Sequence, residues 1–335
     1  MPLITGRDHV QDIYTEAAER HWVLPAFNAE NLTSTEAILA AAHEFGQRSG
    51  QPDLPIIVGI TRAYAHRPQA VFYTHTRNAR VGLDLFMADL RVLTQPGSPF
   101  ADLRVMVHLD HIQWDDDRDL LANDDVGNYS SIMYDASALP LEDNIRRTRA
   151  FVERYRERLL IEGACDEIGE SSRGVSVALA TPEMAERYFK ETGVDIIVPN
   201  LGTEHRAGAA ALTYRDDLAR AIHDRIGPRI CLHGSSSVPP DQLDRLFADG
   251  VCKVNLWTAL ERDSTPVLFE ELLRHADGAV GPKQVAAWKA SGWLGHQVPG
   301  QGALSLDYCT TTYRQQVVFN VMKQIVGAFL QRWYR

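Results

Sequence analysis

The sequence predicts an α/β protein, a closed (β/α)8 barrel of the TIM-barrel class, from two observations. Short apolar runs rich in β-branched residues recur eight times along the 335 residues. Such fully apolar runs are typical of parallel strands that are buried on both faces of a sheet. Segments with helical periodicity separate the runs, and eight repeats of strand and helix indicate a closed barrel.

The predicted elements follow one another in order along the chain. The strands cover residues 22–28, 54–60, 105–111, 130–136, 158–164, 195–202, 229–235 and 251–257. Helix start signals lie between them, at Thr33 and Ser34, at Pro140 and at Thr181. Residues 1–276 are therefore predicted to form the barrel. Residues 277–335 are predicted to add a long loop and a C-terminal helix that packs on the barrel or on a partner subunit, with an apolar stripe through Val317, Val321, Ile325 and Phe329.

Composition favours small molecules as the partners of this chain over nucleic acid and membranes. The formal net charge of −10 gives no basic surface for nucleic acid or an anionic membrane. No apolar segment reaches signal-peptide or membrane-span length, which predicts a cytoplasmic protein that binds small molecules. The four cysteines show no metal-binding spacing and are expected to be reduced thiols.

Polar residues stand at the end of every predicted strand, where barrel enzymes place their catalytic groups. They are Asn28, Thr61, Asp110 with His111, Asp135, Glu162, His205, His233 with Ser235 and Ser236, and Asn255. Helix capping is the simpler interpretation for Asn28, Thr61 and Asp135. It does not account for the histidines, because histidine is a poor N-cap.

Three of these histidines, His111, His205 and His233, could converge on one divalent cation and leave positions open for substrate oxygens. Taken singly, each histidine is better interpreted as a hydrogen-bonded rim or core residue, whereas the three together on one barrel face favour the metal site. His108 shares a strand face with Asp110 and is expected to be a satisfied interior residue, whereas His66, His75 and His223 are expected to be solvated. Lys253 is the one lysine in a predicted strand, so a Schiff-base mechanism would depend on it.

Six ordered motifs between about residues 10 and 262 resemble those of the class II ketose-bisphosphate aldolases, which include the fructose-bisphosphate aldolases. LPAFNAENLTSTEAILAAA resembles the opening strand and helix of that family, and VHLDH matches its HxDH motif. IMYDASALPLEDNIRRTR, GTEH, LHGSSSVPPDQL and GVCKVNLWT resemble its later segments. The resemblance implies reversible aldol cleavage of a ketose (bis)phosphate to dihydroxyacetone phosphate and an aldehyde, in carbohydrate metabolism such as glycolysis.

The resemblance also implies roles for individual residues. His111, His205 and His233 would hold one catalytic Zn²⁺, Asp110 would act as the acid/base, and Glu170 would be the proton-shuttling residue of a loop. The implied substrate and phosphate contacts are Asn28, Thr61, Gly202, Gly234, Ser235, Ser236, Asn255 and Thr258. Asp135 and Glu162 would support the ligands or an accessory metal, and a homodimer or homotetramer is expected.

The chain departs from the family in its phosphate-binding segment. The family's GGSG is Gly234-Ser235-Ser236-Ser237 here, and Trp257 replaces an aspartate. No lysine follows His205, and the second carboxylate of the family's strand five is missing, so a second metal site is not expected. The departures allow a substrate that differs in chain, stereochemistry or phosphorylation. The alternatives are a non-catalytic aldolase-like subunit that stabilises a partner enzyme, and the Schiff-base aldolase at Lys253.

Overall fold

Eight parallel strands close into the predicted barrel in a computed structural model, which describes residues 3–123, 126–166, 179–203 and 214–335. Each strand pairs with its neighbours in chain order, and pairing of β8 with β1 completes the ring. A two-residue strand, Leu3–Ile4, adds to the first half of β3. The barrel strands are β1 (Leu24–Asn28), β2 (Pro55–Thr61), β3 (Arg104–Gln113), β4 (Ser131–Asp135), β5 (Leu160–Ala164), β6 (Ile196–Val198), β7 (Ile230–Leu232) and β8 (Val251–Leu256).

The helices lie outside the barrel and cover the strands, whose apolar residues are buried. Helix α2 begins at a reciprocal cap in which Asn31 and Ser34 bond each other's backbone, as Ser/Thr/Asx caps do. The helices are α1 (Arg7–Glu19), α2 (Leu32–Ser49), α3 (Gln69–Phe72), α4 (Ala79–Thr94), α5 (Arg118–Asn123), α6 (Leu141–Tyr155), α7 (Pro182–Thr192), α8 (Asp216–Ile226), α9 (Pro240–Leu243), α10 (Thr258–Arg274), α11 (Ala276–Val280), α12 (Pro282–Ala290), α13 (Leu306–Cys309) and α14 (Thr311–Trp333).

The C-terminal region differs from the predicted long loop. Helices α11, α12 and α13 occupy much of residues 276–309, and a small apolar cluster around Val285 supports them. Helix α14 packs against α2 and α10, and its buried face runs through Met322, Val326 and Leu330, one position beyond the predicted stripe. Ile325 and Phe329 of the predicted stripe are partly buried and pack against the core beside this face. The domain division at residue 276 stays a prediction.

A polar cluster crosses the barrel interior beneath its C-terminal mouth. The Lys253 ammonium lies 2.7 Å from Glu162 Oε1 and 3.1 Å from His108 Nε2, and all three side chains are buried. His108 Nδ1 lies 2.8 Å from the hydroxyl of Ser131, which confirms the expected satisfied interior histidine. Burial by itself lowers the pKa of Lys253, but the charges of Cys231, Glu162 and Asp110 outweigh burial and raise it.

Replacing Lys253 by methionine is expected to lower the free energy of unfolding by about 3–5 kcal/mol, because Glu162 would remain as an unpaired buried charge. Urea unfolding measures this loss. The exposed Lys283→Met serves as the matched control and should leave stability unchanged. A double variant, Lys253→Met with Glu162→Leu, should recover much of the loss; equal stability of Lys253→Met and wild type would contradict the pairing.

No helix among the described residues is both long enough and apolar enough to cross a bilayer. The four cysteines are free thiols, as the sequence predicted.

Candidate active site and metal centre

The ends of five strands surround one pocket at the C-terminal mouth of the barrel, and this pocket is open to solvent. This is the face on which barrel enzymes carry their active sites. The structure brings together in its lining ten of the residues singled out from the sequence. They are Asn28, Thr61, Asp110, His111, His233, Gly234, Ser235, Ser236, Asn255 and Thr258.

His111 and His233 face each other across the floor of this pocket. Their ring centroids are 5.1 Å apart and the rings are almost perpendicular, at 87°. One ligand atom from each, together with a carboxylate oxygen of Asp110, lies within 4.8 Å of the others. Two imidazoles and a carboxylate at this spacing are a donor set suited to zinc and similar divalent metals.

A backbone irregularity allows Asp110 and His111 to reach the same pocket. Consecutive side chains of a regular strand point to opposite faces. Here the register of β3 against β4 shifts between Leu109 and Ile112, and His111 has a positive φ of 48°. A bulge of this kind re-aims a side chain and is common beside active sites. Neighbouring residues in the sequence thereby become neighbours in one site.

Asp135 at the end of β4 fixes the orientation of His111. Its Oδ2 lies 2.8 Å from His111 Nδ1, so Nε2 is the nitrogen that His111 can offer to a metal. Burial by itself raises the pKa of Asp135, but hydrogen bonds from His111 and Ser137 outweigh burial and hold the pKa far below its usual range. A carboxylate behind a histidine is the usual support of a metal ligand.

Two asparagines hold the Asp110 carboxylate. Asn28 Nδ2 donates to Oδ2 at 2.7 Å, and Asn255 Nδ2 donates to Oδ1 at 2.9 Å. Gly59 on β2 makes room for Asn28, because a Cβ at that position would lie 2.2 Å from Asn28 Oδ1. Burial by itself raises the pKa of Asp110, but the charge of His111, the His108 imidazole 3.6 Å away and the charge of His233 hold it well below its usual range.

One serine of the segment after β7 hydrogen-bonds to the protein backbone. Gly234 has a φ of 67°, in the left-handed region that glycine tolerates. Ser235 Oγ donates to the Asn255 carbonyl at 3.1 Å, which leaves the Ser236 hydroxyl to face the pocket. We call Gly234, Ser235 and Ser236 the serine cradle. Gly202, after β6, is not in the described lining of the pocket; its N–H donates to Asn200 Oδ1 at 3.0 Å.

Two predicted site residues, His205 and Glu170, lie outside the described residues. The described chain ends at Thr203 before His205, and Thr203 Oγ1 donates to the His233 carbonyl at 2.7 Å. The side chain of Thr203, two residues before His205, is therefore bonded to the backbone of His233.

Glu162 and Lys253 do not line the pocket in the described part of the chain. Glu162, predicted from the sequence to support the ligands or an accessory metal, is ion-paired with Lys253, and one of its oxygens lies within 4.8 Å of ligand atoms of Cys231 and His233. A Schiff-base lysine needs a lowered pKa and access to substrate. Lys253 is fully buried and its pKa is raised, which argues against the Schiff-base alternative.

The loop after β2 and the first residue of α3 contribute four lining residues that the sequence did not assign to the site: Tyr64, His66, Arg67 and Gln69. Tyr64 stacks flat on His111, with ring centroids 4.1 Å apart and an angle of 5°. His66 was predicted to be solvated, but it is half-buried and lines the pocket. The loop follows a barrel strand on the catalytic face, and that position was the available signal.

Comparisons with known proteins agree with this geometry. Residues 8–294 match the family model of fructose-bisphosphate aldolase class-II. A fructose-bisphosphate aldolase of Geobacillus stearothermophilus is 30% identical over 282 residues, 82% of this chain and 89% of the relative. A D-tagatose-1,6-bisphosphate aldolase subunit, GatY, of Klebsiella oxytoca is 29% identical over 271 residues, 79% of this chain and 84% of the relative.

Two solved structures share the fold along almost the whole chain. The fructose-bisphosphate aldolase of Campylobacter jejuni has a TM-score of 0.73 at 16% identity, covering 99% of this chain and 95% of its own. The YdjI aldolase of Escherichia coli K12 has a TM-score of 0.63 at 16% identity, covering 97% of this chain and 96% of its own.

Proposed function

The chain belongs to the class-II fructose-bisphosphate aldolase family, and we propose that it reversibly cleaves a ketose phosphate to dihydroxyacetone phosphate and an aldehyde. It is therefore a carbon–carbon lyase. The observation that carries the proposal is the Asp110 carboxylate, held by Asn28 and Asn255 beside the facing imidazoles of His111 and His233.

We assign His111, His233 and His205 as the ligands of one zinc ion. The described part of this donor set fits a metal, because Asp135 fixes His111 from behind and leaves its Nε2 for coordination. The tie between Thr203 and the His233 backbone supports the inclusion of His205. When bound, the metal supplies positive charge that polarises the substrate carbonyl and offsets the negative charge that develops beside it.

Asp110 acts as the acid/base. In the cleavage direction its carboxylate takes the proton from the hydroxyl of the carbon that becomes the aldehyde, as the adjacent carbon–carbon bond breaks. In the synthesis direction Asp110 returns this proton to the same oxygen. The two asparagine amides hold both carboxylate oxygens in position. Glu170 is assigned to the proton on the neighbouring carbon, and the serine cradle with Asn255 and Thr258 to the substrate phosphate.

The finer assignments belong to the same proposal. Asn28, Thr61 and Gly202 are assigned to substrate binding, and Asp135 to ligand support. We propose that the protein works in the cytoplasm as a homodimer or homotetramer, in carbohydrate metabolism such as glycolysis.

A retro-aldol screen over phosphorylated and unphosphorylated ketoses tests this function. We expect at least one ketose phosphate to release dihydroxyacetone phosphate, a chelator to abolish the release, and added Zn²⁺ to restore it. Borohydride with substrate should trap no covalent adduct at Lys253. Absence of both turnover and metal would favour the non-catalytic alternative, and adduct formation would favour the Schiff-base one.

Replacing Asp135 by asparagine is expected to weaken zinc binding by about 10- to 100-fold, the usual effect of losing the carboxylate behind a histidine ligand. Competition with a chromophoric chelator measures the affinity. Asp119→Asn provides the control, since Asp119 pairs with Arg62 away from the pocket lining. Unchanged affinity in Asp135→Asn would contradict the assignment of His111 as a ligand.

A further inference from the structure

A second cavity, which we call the N-terminal cavity, opens on the opposite face of the barrel, where the strands begin. It lies between helix α1 and the beginnings of β5, β6, β7 and β8. Its volume of about 350 Å³ falls within the range of small-molecule sites, about 300–1,000 Å³. Along β8, Cys252 lines this cavity and Asn255 lines the catalytic pocket, with the fully buried Lys253 between them. The N-terminal cavity is therefore separate from the site of the proposed reaction.

The walls of the N-terminal cavity are largely apolar. Three aromatic side chains, Tyr14, Trp22 and Phe247, contribute to them. Ala17 and Ala18 of α1 also line the cavity, and their small side chains leave space that larger ones would fill. Protein interiors are otherwise close-packed, with few voids larger than a water molecule. Walls of this kind suit a ligand with an apolar body.

The hydroxyl of Tyr14 is a donor in need of an acceptor. Its oxygen is buried and has no hydrogen-bond partner among the residues that the structure describes. Burial, followed by the charge of Glu162, raises the pKa of Tyr14 well above its usual value, so the hydroxyl keeps its proton. Buried polar groups normally have a partner. An oxygen of a ligand in the cavity would supply one.

The charged groups at the cavity leave a positive one available. Asp195 Oδ2 accepts from Arg7 Nη1 at 2.8 Å and from the Ile161 N–H at 2.9 Å, and its Oδ1 accepts from Arg7 Nη2. Arg229 is exposed and lines the same cavity. Its Nη1 donates to the Asp195 carbonyl at 3.2 Å, and its guanidinium makes no other hydrogen bond within the described ranges of the chain. The Asp195 charge is thus compensated by Arg7, whereas that of Arg229 is open to an anion.

We propose that the N-terminal cavity binds a small amphipathic carboxylate. The carboxylate pairs with Arg229, and the apolar body lies against the aromatic wall of Tyr14, Trp22 and Phe247. An ether or carbonyl oxygen on that body accepts the hydrogen bond of the Tyr14 hydroxyl. The site is independent of the aldol reaction at the other face.

Three probes of the same shape test the site by titration calorimetry on the full chain. The first, para-methoxyphenylpropionate, carries both the carboxylate and the ether oxygen. In para-ethylphenylpropionate a methylene replaces the ether oxygen, and in para-methoxyphenylpropanol a hydroxyl replaces the carboxylate. The variants are Tyr14→Phe and Arg229→Gln. Arg225→Gln is the matched control, because Arg225 pairs with Glu183 and Glu186 and is not in the described lining of the cavity.

We expect wild type to bind the methoxy acid most tightly of the three. Arg229→Gln should weaken both carboxylates by about tenfold, the effect of losing one charged hydrogen bond at a partly solvated group, and leave the alcohol unchanged. Tyr14→Phe should weaken both methoxy compounds by about 2- to 10-fold and leave the ethyl compound unchanged. Tyr14→Phe removes only an unpaired hydroxyl and Arg229 is exposed, so both variants should fold.

Two further variants locate the bound probe. Ala18 is exposed, and a phenyl ring in Ala18→Phe should obstruct the cavity and weaken the methoxy acid by about tenfold or more, whereas Ala88→Phe on the exposed face of α4 should not. His233→Ala should bind the probe as wild type does. The reverse result, loss in His233→Ala with full binding in Ala18→Phe, would place the probe at the catalytic mouth and overturn the proposal. No saturable binding to wild type at millimolar concentration, or equal affinity for the acid and the alcohol, would also overturn it, whether or not the chain cleaves a ketose.

Discussion

Replacing His233 by alanine is expected to remove the stoichiometric zinc and to lower kcat/KM by about a thousandfold or more. The estimate follows from the several kcal/mol by which a metal stabilises developing charge in a transition state. His233 faces His111, and its removal leaves His111 as the one described histidine of the proposed ligand set. Elemental analysis of the purified variant and the retro-aldol assay measure the two effects.

The exposed His75→Ala is the control for this substitution and should retain both metal and activity. Circular dichroism should show that the barrel of His233→Ala remains folded, since the ligand side chain lies at the mouth rather than between strands and helices. A folded His233→Ala variant with normal zinc content would exclude His233 as a ligand.

Replacing Asp110 by asparagine is expected to lower kcat by about 10²- to 10⁴-fold, the contribution of a positioned acid/base. The asparagine side chain has the same shape as that of Asp110, but it cannot take the proton. Its NH2 group would also face the NH2 group of Asn28 or Asn255. Zinc content should remain near that of wild type, which separates this loss from that of His233→Ala.

The exposed Asp116→Asn, six residues along the same segment, is the matched control and should leave kcat unchanged. Loss of zinc from Asp110→Asn in parallel with activity would instead identify Asp110 as a metal ligand, an arrangement that the 4.8 Å spacing of the cluster also permits.

The sequence predicted the barrel and much of its site because both depend on local patterns. Apolar runs mark strands buried on both faces, and polar residues at their ends mark the catalytic rim. Four site residues come from the ends of four strands: Asn28, Asp110, His233 and Asn255. Closure of the parallel sheet into a barrel is enough to bring these strand ends together.

Other features depend on tertiary geometry that no pattern encodes. A strand period of two would have placed Asp110 and His111 on opposite faces, and the register shift after Leu109 that reunites them has no sequence signature here. Arg67 carries no motif, and it becomes a site residue through its bond to Glu30, 37 positions away. Lys253 was correctly placed in a strand from the sequence. Its partner across the barrel, Glu162, could be identified only once the sheet was seen to close.

Anomalous diffraction at the zinc edge, from crystals of the metal-loaded protein, tests the metal centre most directly. The assignment predicts one strong peak between the imidazoles of His111 and His233, with the His205 side chain as the third protein ligand. A peak at another position, or a fully loaded crystal with no peak beside His111 and His233, would contradict it.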